Sequence, residues 1–149
     1  MDVRIRPAAS DEGERLREIA IASKQHWGYE QKEVVRWAAK GDFSPEGLRA
    51  KEFYVADAVG LAVGFASLIA GEVAVLDDLW VEPEWIGKGI GARLFRAVAE
   101  RAAALGARSL EWEAEPYAVG FYERMGAGHL RDSGPSEWGR ILPVMGIEL

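Results

Sequence analysis

The chain of 149 residues contains no cysteine and only two histidines, His26 and His129. The lack of cysteine excludes disulfide bonds, a thiolate nucleophile and cysteine-ligated metal sites. Two histidines are too few to favour a histidine-rich zinc site or a histidine-based catalytic triad. We therefore expect a site that functions without a bound metal.

Basic charge and long apolar runs are also scarce. The formal net charge is −6, from 18 basic and 24 acidic residues. Because nucleic-acid binding needs a basic surface, we expect no nucleic acid as a partner. The first ten residues are too polar for a signal peptide, and no apolar run reaches membrane-spanning length. We expect a cytoplasmic protein that does not associate with membranes.

About half of the chain is apolar, and its patterning predicts one domain over residues 1–149 without repeats or linkers. Ser10 is a candidate N-cap for the first helix. The short connections between the central strands favour antiparallel hairpins, and the element order predicts an α/β (mixed α+β) fold with helices on the faces of a mixed sheet. The three central strands are predicted over residues 52–58, 61–71 and 72–83.

A glycine-rich turn precedes the strongest predicted helix. In "VEPEWIGKGIGARLF", residues 81–95, Gly87, Gly89 and Gly91 occupy alternate positions. Glycine allows positive φ and close approach to a ligand, and a helix N-terminus attracts anions. The surrounding strand–helix–strand unit predicts two parallel strands with this turn at their carboxyl ends, where such sheets bind ligands. The turn therefore predicts a phosphate or pyrophosphate site.

Two other phosphate motifs fit this turn less well. The spacing Gly87-x-Gly89-x-x-Ala92 formally matches the dinucleotide fingerprint, and Glu111 follows about twenty residues later. However, five residues separate the strand end from the first glycine, and the chain that follows is too short for a second nucleotide-binding half. A P-loop is excluded because Lys88 is followed by glycine rather than by the Ser or Thr that holds Mg²⁺.

Two stretches resemble the motifs of a known family. "LWVEPEWIGKGIGARLF", residues 79–95, resembles motif A of the GNAT acetyltransferase superfamily, and "AEPYAVGFYERMGA", residues 114–127, resembles its motif B. The resemblance extends over residues 1–149 and is most specific over 76–126. Ile86 departs from the family pattern, which has Arg or Gln there, and so removes one polar anchor. The resemblance implies the GNAT fold, with a mostly antiparallel central sheet and helices on both faces.

The resemblance also implies acetyl-CoA as the acyl donor. The backbone of Leu79, Trp80 and Val81 would pair with the pantetheine arm like an added strand. The N–H groups from Gly87 to Ala92 would hold the diphosphate, with Lys88 and Arg93 assisting as charges. The full set implied for cofactor binding comprises Leu79, Trp80, Val81, Gly87, Lys88, Gly89, Ile90, Gly91, Ala92 and Tyr117.

Acetyl transfer to an amine requires a base, stabilisation of the carbonyl oxygen and a proton for the leaving thiolate. Without cysteine, direct attack by the amine is the simplest route, and it is the route of the family. Tyr122 matches the motif B tyrosine, and a phenol with a pKa near 10 can protonate a thiolate. Asp77 and Asp78 are adjacent on a strand, so only one should face the cleft. Asp78 is the favoured base, followed by Glu113, with Glu111 a further alternative.

The family places one wall of the acceptor site in the segment of His26, Trp27 and Tyr29, and the loop 134–140 is expected to form the opposite wall. The predicted function is an N-acetyltransferase that acts on a primary amine of a small molecule or peptide. A homodimer is common in the family. A non-catalytic acyl-CoA-binding sensor or regulatory module is the alternative, because it would share the same turn.

Overall fold

The computed structural model describes residues 2–135 and 140–149. Within these ranges the chain forms seven strands and five helices. The strands are β1 (Val3–Pro7), β2 (Glu52–Ala58), β3 (Leu61–Ile69), β4 (Val73–Val81), β5 (Ser109–Glu113), β6 (Gly128–Asp132) and β7 (Pro143–Glu148). The helices are α1 (Gly13–His26), α2 (Gln31–Lys40), α3 (Pro45–Ala50), α4 (Ile90–Ala104) and α5 (Val119–Arg124).

The described strands form one sheet in the order β1-β2-β3-β4-β5-β7-β6. Neighbouring strands are antiparallel except for β4 and β5, which are parallel. The α4 helix connects these two strands, as the strand–helix–strand pattern predicts. The mixed, mostly antiparallel sheet confirms the predicted fold class.

Helices cover both faces of the sheet, and each face has its own apolar core. On one face, α1 and α3 pack against β2 and β3, with Leu16, Ile19, Leu48, Phe53, Val55 and Phe65 buried. On the other face, α4 and α5 pack against the sheet, with Val63, Ala66, Leu94, Phe95, Val98, Leu110 and Tyr122 buried. The buried residues of α4 recur at helical spacing and face this second core. These two layers fix the positions of the helix ends that surround the site.

Helix starts follow their local hydrogen bonds. The Ser44 hydroxyl accepts from the Gly47 N–H and caps α3, as its Ser-Pro-Glu sequence predicts. The prediction that Ser10 caps α1 is wrong, because the N-cap position belongs to Glu12. The Glu12 carboxylate accepts from the Ala9 N–H and pairs with Arg6, which ties the preceding turn to β1.

None of the helices in the described ranges is long and apolar enough to span a membrane.

Candidate active site

The sheet opens between β4 and β5. The two strands pair only from Val73 to Val75 and from Ser109 to Glu111, and β4 then continues to Val81 without a described strand beside it on that edge. Backbone groups along this part of β4 therefore face the opening with hydrogen-bonding capacity that a strand-like ligand can use. The segment contains the predicted pantetheine-binding residues 79–81.

The glycine turn lies at the same opening and has the geometry that the sequence predicts. Gly87 has φ 83° and Gly89 has φ 81°, both in the left-handed region that favours glycine. Gly89 is the N-cap of α4, and no described side chain caps the helix. A Cβ atom built on Gly87 or Gly89 would meet no described atom within 4 Å. The space beside these two glycines is therefore open, and the first N–H groups of α4 have no described side-chain partner, which is an arrangement that suits an anion.

The third glycine has a different role. Gly91 lies inside α4 at an ordinary helical φ, and a Cβ atom there would lie 3.4 Å from the Phe121 ring. This is an ordinary van der Waals distance, so a Cβ atom at position 91 would just touch the ring. Gly91 also lines the cavity described next, where a small residue keeps the wall open.

A cavity of about 590 Å³ joins the β4 edge, the glycine turn and the α5 region. We call it the donor cavity. It brings together most of the residues that sequence reasoning selected, namely Asp77, Asp78, Leu79, Trp80, Val81, Gly87, Gly89, Ile90, Gly91, Ala92, Glu113, Tyr117 and Tyr122.

The side chains of Lys88 and Arg93, which were expected to assist at the diphosphate, do not line the donor cavity. The ammonium of Lys88 lies 5.3 Å from the centre of the Trp85 ring, and Lys88 is not among the residues that line the cavity. The guanidinium of Arg93 donates to the Val3 carbonyl at 2.5 Å, which holds it against β1. The expectation that Arg93 assists at the turn is therefore not supported by this geometry. The positive character of the turn comes from the backbone and the helix dipole.

Tyr122 is buried beside the donor cavity. Its ring centre lies 4.9 Å from that of Trp112 and 5.1 Å from that of Phe121. Burial, and to a smaller extent the negative charge of Glu115, raises the pKa of Tyr122 above its usual value. The phenol consequently stays protonated at neutral pH, which is the state needed to donate a proton.

Asp77 and Asp78 lie on the same side of β4, contrary to the expectation that only one faces the cleft. The pairing of β3 with β4 steps from Ser67–Asp78 to Leu68–Leu76, so Asp77 is the extra residue of a β-bulge. The bulge cancels the usual alternation, and both carboxylates contact the ammonium of Lys51.

The Oδ2 atom of Asp78 accepts two hydrogen bonds. The Ser67 hydroxyl donates to it at 2.5 Å, and the Lys51 ammonium donates at 3.0 Å. Sequence reasoning missed both partners. A lysine just before a strand and a serine inside one carry no motif, and only the strand register brings them to Asp78.

A second cavity, of about 540 Å³, lies next to the donor cavity. We call it the acceptor cavity. Aromatic side chains form part of its lining, including Trp37, Phe43, Phe53 and Trp80. The two cavities share the residues of the opening, which are Leu76, Asp77, Asp78, Trp80, Glu113 and Glu115. A group held in one cavity can therefore meet a group held in the other across this opening.

The two glutamates of β5 differ in their surroundings. Glu111 pairs with Arg131 at 2.8 Å, so its carboxylate is engaged away from the opening. Glu113 is exposed and lines both cavities, and within residues 2–135 and 140–149 its carboxylate makes no hydrogen bond or ion pair. Of the two, only Glu113 is available to take a proton.

Glu115 is the centre of a polar cluster at the opening. It accepts from the Tyr29 hydroxyl and lies 3.5 Å from Arg140 and 3.7 Å from Lys24. Burial and the hydrogen bond to Glu115 raise the pKa of Tyr29 to about 12. Burial lowers the pKa of Lys24, although Glu115 opposes this shift. Lys24 was also missed by sequence reasoning, since a lysine in the last turn of a helix has an ordinary capping role.

The aromatic segment after α1 reaches the opening in two ways. Trp27 stacks on Tyr117 with ring centres 5.4 Å apart, and it lines the donor cavity. Tyr29 joins the Glu115 cluster, whereas His26 is exposed beside Trp27. Residues 136–139 of the expected opposite wall lie outside the described residues.

Among the residues that are described, no group of three or more His, Asp or Glu is placed to hold a metal ion.

Known structures share the overall architecture of this chain. The PaiA N-acetyltransferase of Thermoplasma acidophilum, determined in complex with coenzyme A, is 22% identical, with a TM-score of 0.85 and full coverage of both chains. A GCN5-related N-acetyltransferase of Rhodopseudomonas palustris is 24% identical, with a TM-score of 0.83 over 100% of this chain and 97% of that one. The ribosomal-protein-S18-alanine N-acetyltransferase of Escherichia coli is 16% identical, with a TM-score of 0.72 over 99% of this chain and 94% of that one. At these identities the similarity shows a shared fold.

Sequence comparison identifies the family. A search of curated protein sequences finds no significant match. The model of the acetyltransferase (GNAT) family matches residues 14–127, which include the glycine turn, the open edge of β4 and Tyr122. GNAT acetyltransferases transfer an acyl group to an acceptor substrate. The chain belongs to the GNAT acetyltransferase family and is an acyltransferase.

Proposed function

We propose that the protein transfers the acetyl group of acetyl-CoA to a primary amine of a small molecule or peptide by direct attack. The observation that carries the proposal is the opening between β4 and β5, where the glycine turn, the free strand edge and Tyr122 meet in one cavity. A second cavity shares the same opening, as a two-substrate reaction requires. When bound, acetyl-CoA supplies a thioester whose carbonyl carbon is the electrophile.

The donor is held mainly by backbone groups. The β4 segment of Leu79, Trp80 and Val81 offers the edge for the pantetheine amides, and the N–H groups from Gly87 to Ala92 cradle the diphosphate. An exposed helix N-terminus contributes about 0.3–1 kcal/mol per anion, and several converging N–H groups add hydrogen bonds. Because Ile86 is apolar, the cradle depends on these backbone donors more strongly than it would with arginine there.

Glu113 is the better candidate for the base. Asp78, the residue favoured from sequence, already holds two donors on Oδ2, from Ser67 and Lys51. A carboxylate oxygen engaged in this way is a poor acceptor for a substrate proton. Glu113 lines both cavities and has its carboxylate open among the described residues. We assign to Glu113 the removal of the proton from the acceptor amine and to Asp78 the positioning of the bulge.

Tyr122 is the proposed acid. Its phenol stays protonated because burial raises its pKa, and its ring lines the donor cavity. General acid catalysis of this kind typically contributes about 10²–10⁴-fold to the rate. We assign the stabilisation of the carbonyl oxygen to a backbone N–H of residues 79–81, and such a donor is typically worth about 2.7–4 kcal/mol.

Two measurements test the proposal together. Acetyl-CoA should raise the melting temperature by ligand linkage, and NAD should not. A panel of primary amines, followed by release of free CoA thiol, should then identify an acceptor. Stabilisation by NAD alone would support the dinucleotide interpretation instead. Stabilisation by acetyl-CoA without thiol release for any amine would support a non-catalytic sensor and contradict the proposed reaction.

A further inference from the structure

The ammonium of Lys24 lies inside the acceptor cavity, surrounded by aromatic rings. Its Nζ atom is 4.3 Å from the centre of the Trp37 ring, 4.9 Å from that of Tyr29 and 5.6 Å from that of Trp80. Glu115 lies 3.7 Å away, and the Lys24 side chain is only 12% exposed. An amine of the protein itself therefore lies within the acceptor cavity.

The position of Lys24 connects it to the opening between the cavities. Two of its neighbours, Trp80 and Glu115, line both cavities. Ser23 and Trp27, on either side of Lys24 in the chain, line the donor cavity. The end of α1 thus forms part of the boundary between the two cavities, with Lys24 at the acceptor side of the opening.

The lysines of the acceptor cavity are not equivalent. The cavity is lined by Lys24, Lys40 and Lys51. Burial alone lowers the pKa of Lys51, but the attraction of Asp78 and Asp77 more than offsets it, so the net pKa is raised and Lys51 remains an ammonium. Lys40 is exposed. Lys24 faces a single carboxylate and has a lowered pKa, so it reaches the neutral, nucleophilic state more readily.

We propose that Lys24 is a self-acetylation site, which accepts the acetyl group of bound acetyl-CoA when no substrate amine fills the acceptor cavity. The proposal rests on the proposed function. The neutral Nζ attacks the acetyl carbonyl carbon, a C–N bond forms and the C–S bond breaks. The surplus proton on nitrogen passes to the Oε2 atom of Glu115, which lies 3.7 Å from Nζ and is not the oxygen that accepts from Tyr29. The departing thiolate takes the proton of Tyr122. The products are Nε-acetyl-lysine and free CoA thiol.

Acetylation changes the acceptor cavity. It removes the charge that interacts with the three rings and with Glu115, and it adds an acyl group to the space. The glycine turn is untouched by this change, and on β4 only the side chain of Trp80 loses a contact with the charge. Self-acetylation therefore weakens binding of the acceptor and leaves acetyl-CoA binding intact. Lys24 is then a regulatory site.

Mass spectrometry of the full chain tests the proposal. The purified protein is incubated with acetyl-CoA without an acceptor, and acetylation of each of the five lysines is followed by peptide mapping. Lys24 should react at least about tenfold faster than the exposed Lys32 and Lys88, because the bound donor is presented at high effective concentration. Because the reaction is intramolecular, the rate at which the acetylated fraction of Lys24 rises should not depend on protein concentration. Lys24→Arg should lose this modification, whereas Lys40→Arg should retain it.

A second variant examines the regulatory consequence. Lys24→Gln removes the charge as acetylation does, so it should raise the KM for the acceptor and keep the melting-temperature shift with acetyl-CoA. Equal modification of Lys24, Lys32 and Lys88, or a rate that rises with protein concentration, would overturn the inference. If the chain binds acetyl-CoA and acetylates an amine while Lys24 stays unmodified, the inference about Lys24 is overturned and the proposed function stands. A chain that acetyl-CoA does not stabilise would overturn the proposed function as well.

Discussion

The ammonium of Lys51, the residue just before β2, lies 3.0 Å from the carboxylate of Asp78 on β4. The same ammonium contacts Asp77, because the β-bulge turns both carboxylates toward it. One cation thus holds the bulged part of β4, at the point where β4 separates from β5. We infer that this contact helps to keep the opening in shape, since a bulge leaves the local ladder with fewer hydrogen bonds.

Lys51→Met should destabilise the fold in a pH-dependent manner. The folded state raises the pKa of Lys51 above its usual 10.5. The stabilisation is therefore complete below pH 10.5 and is lost as pH rises through the folded pKa. At pH 8 the variant should be less stable by about 1 kcal/mol, in the range of partly exposed ion pairs. Urea denaturation at several pH values measures the difference.

Lys32→Met is the matched control, because Lys32 is an exposed lysine on α2. It also removes one positive charge from the chain, yet it should change stability by less than about 0.5 kcal/mol, as surface substitutions usually do. A Lys51→Met difference that does not decrease as the pH rises above 10.5, or that Lys32→Met reproduces, would show that the ion pairs with Asp77 and Asp78 are not its source.

The glycine turn was predictable from sequence because its signals are local. Gly87 and Gly89 adopt positive φ, and α4 begins at Ile90, as the pattern of glycines before an apolar helix predicts. The placement of Asp77 and Asp78 was not predictable, because a bulge depends on the register between β3 and β4. The same limit applies to Lys24, whose aromatic surroundings come from separate elements.

Gly89→Val should abolish acetyl-CoA binding. A valine at φ 81° is strained, and its side chain would occupy the space in front of the helix N-terminus that the diphosphate needs. The melting-temperature shift produced by acetyl-CoA should disappear. Isothermal titration with CoA should give no measurable binding under conditions in which the wild-type chain saturates.

The matched control for this strain is Gly106→Val. Gly106 has φ 92° at the other end of α4, and a Cβ atom there also meets no described atom within 4 Å. Both valine variants should lose about 1–2 kcal/mol of stability from the left-handed backbone. Only Gly89→Val should lose ligand binding. Equal acetyl-CoA shifts in the two variants would disprove the cradle.

Glu113→Gln should lower kcat by about 10²-fold or more, because an amide cannot take the proton of the attacking amine. The KM for acetyl-CoA should change little, since the donor is held by backbone groups. Asp78→Asn should act differently, because it breaks the contacts with Ser67 and Lys51 and so lowers stability together with activity. Steady-state kinetics combined with thermal denaturation separates the two effects. A larger kcat loss in Asp78→Asn at unchanged stability would return the role of base to Asp78.

Tyr122→Phe should slow thiol release while leaving the cavity intact. The phenylalanine keeps the ring contacts with Trp112 and Phe121, so the acetyl-CoA melting-temperature shift should persist. Loss of the proton donor should lower kcat by at least about tenfold with a good acceptor.

The pH dependence distinguishes this role from simple packing. Because burial raises the pKa of Tyr122, its phenol remains protonated past pH 10, so the wild-type rate should not fall there through loss of the acid. Tyr54→Phe is the control: the Tyr54 hydroxyl donates to Glu52, away from both cavities, and its removal should leave kcat unchanged. If Tyr122→Phe and Tyr54→Phe show the same kcat, the leaving thiolate takes its proton from water, and Tyr122 serves only to pack α5 against the sheet.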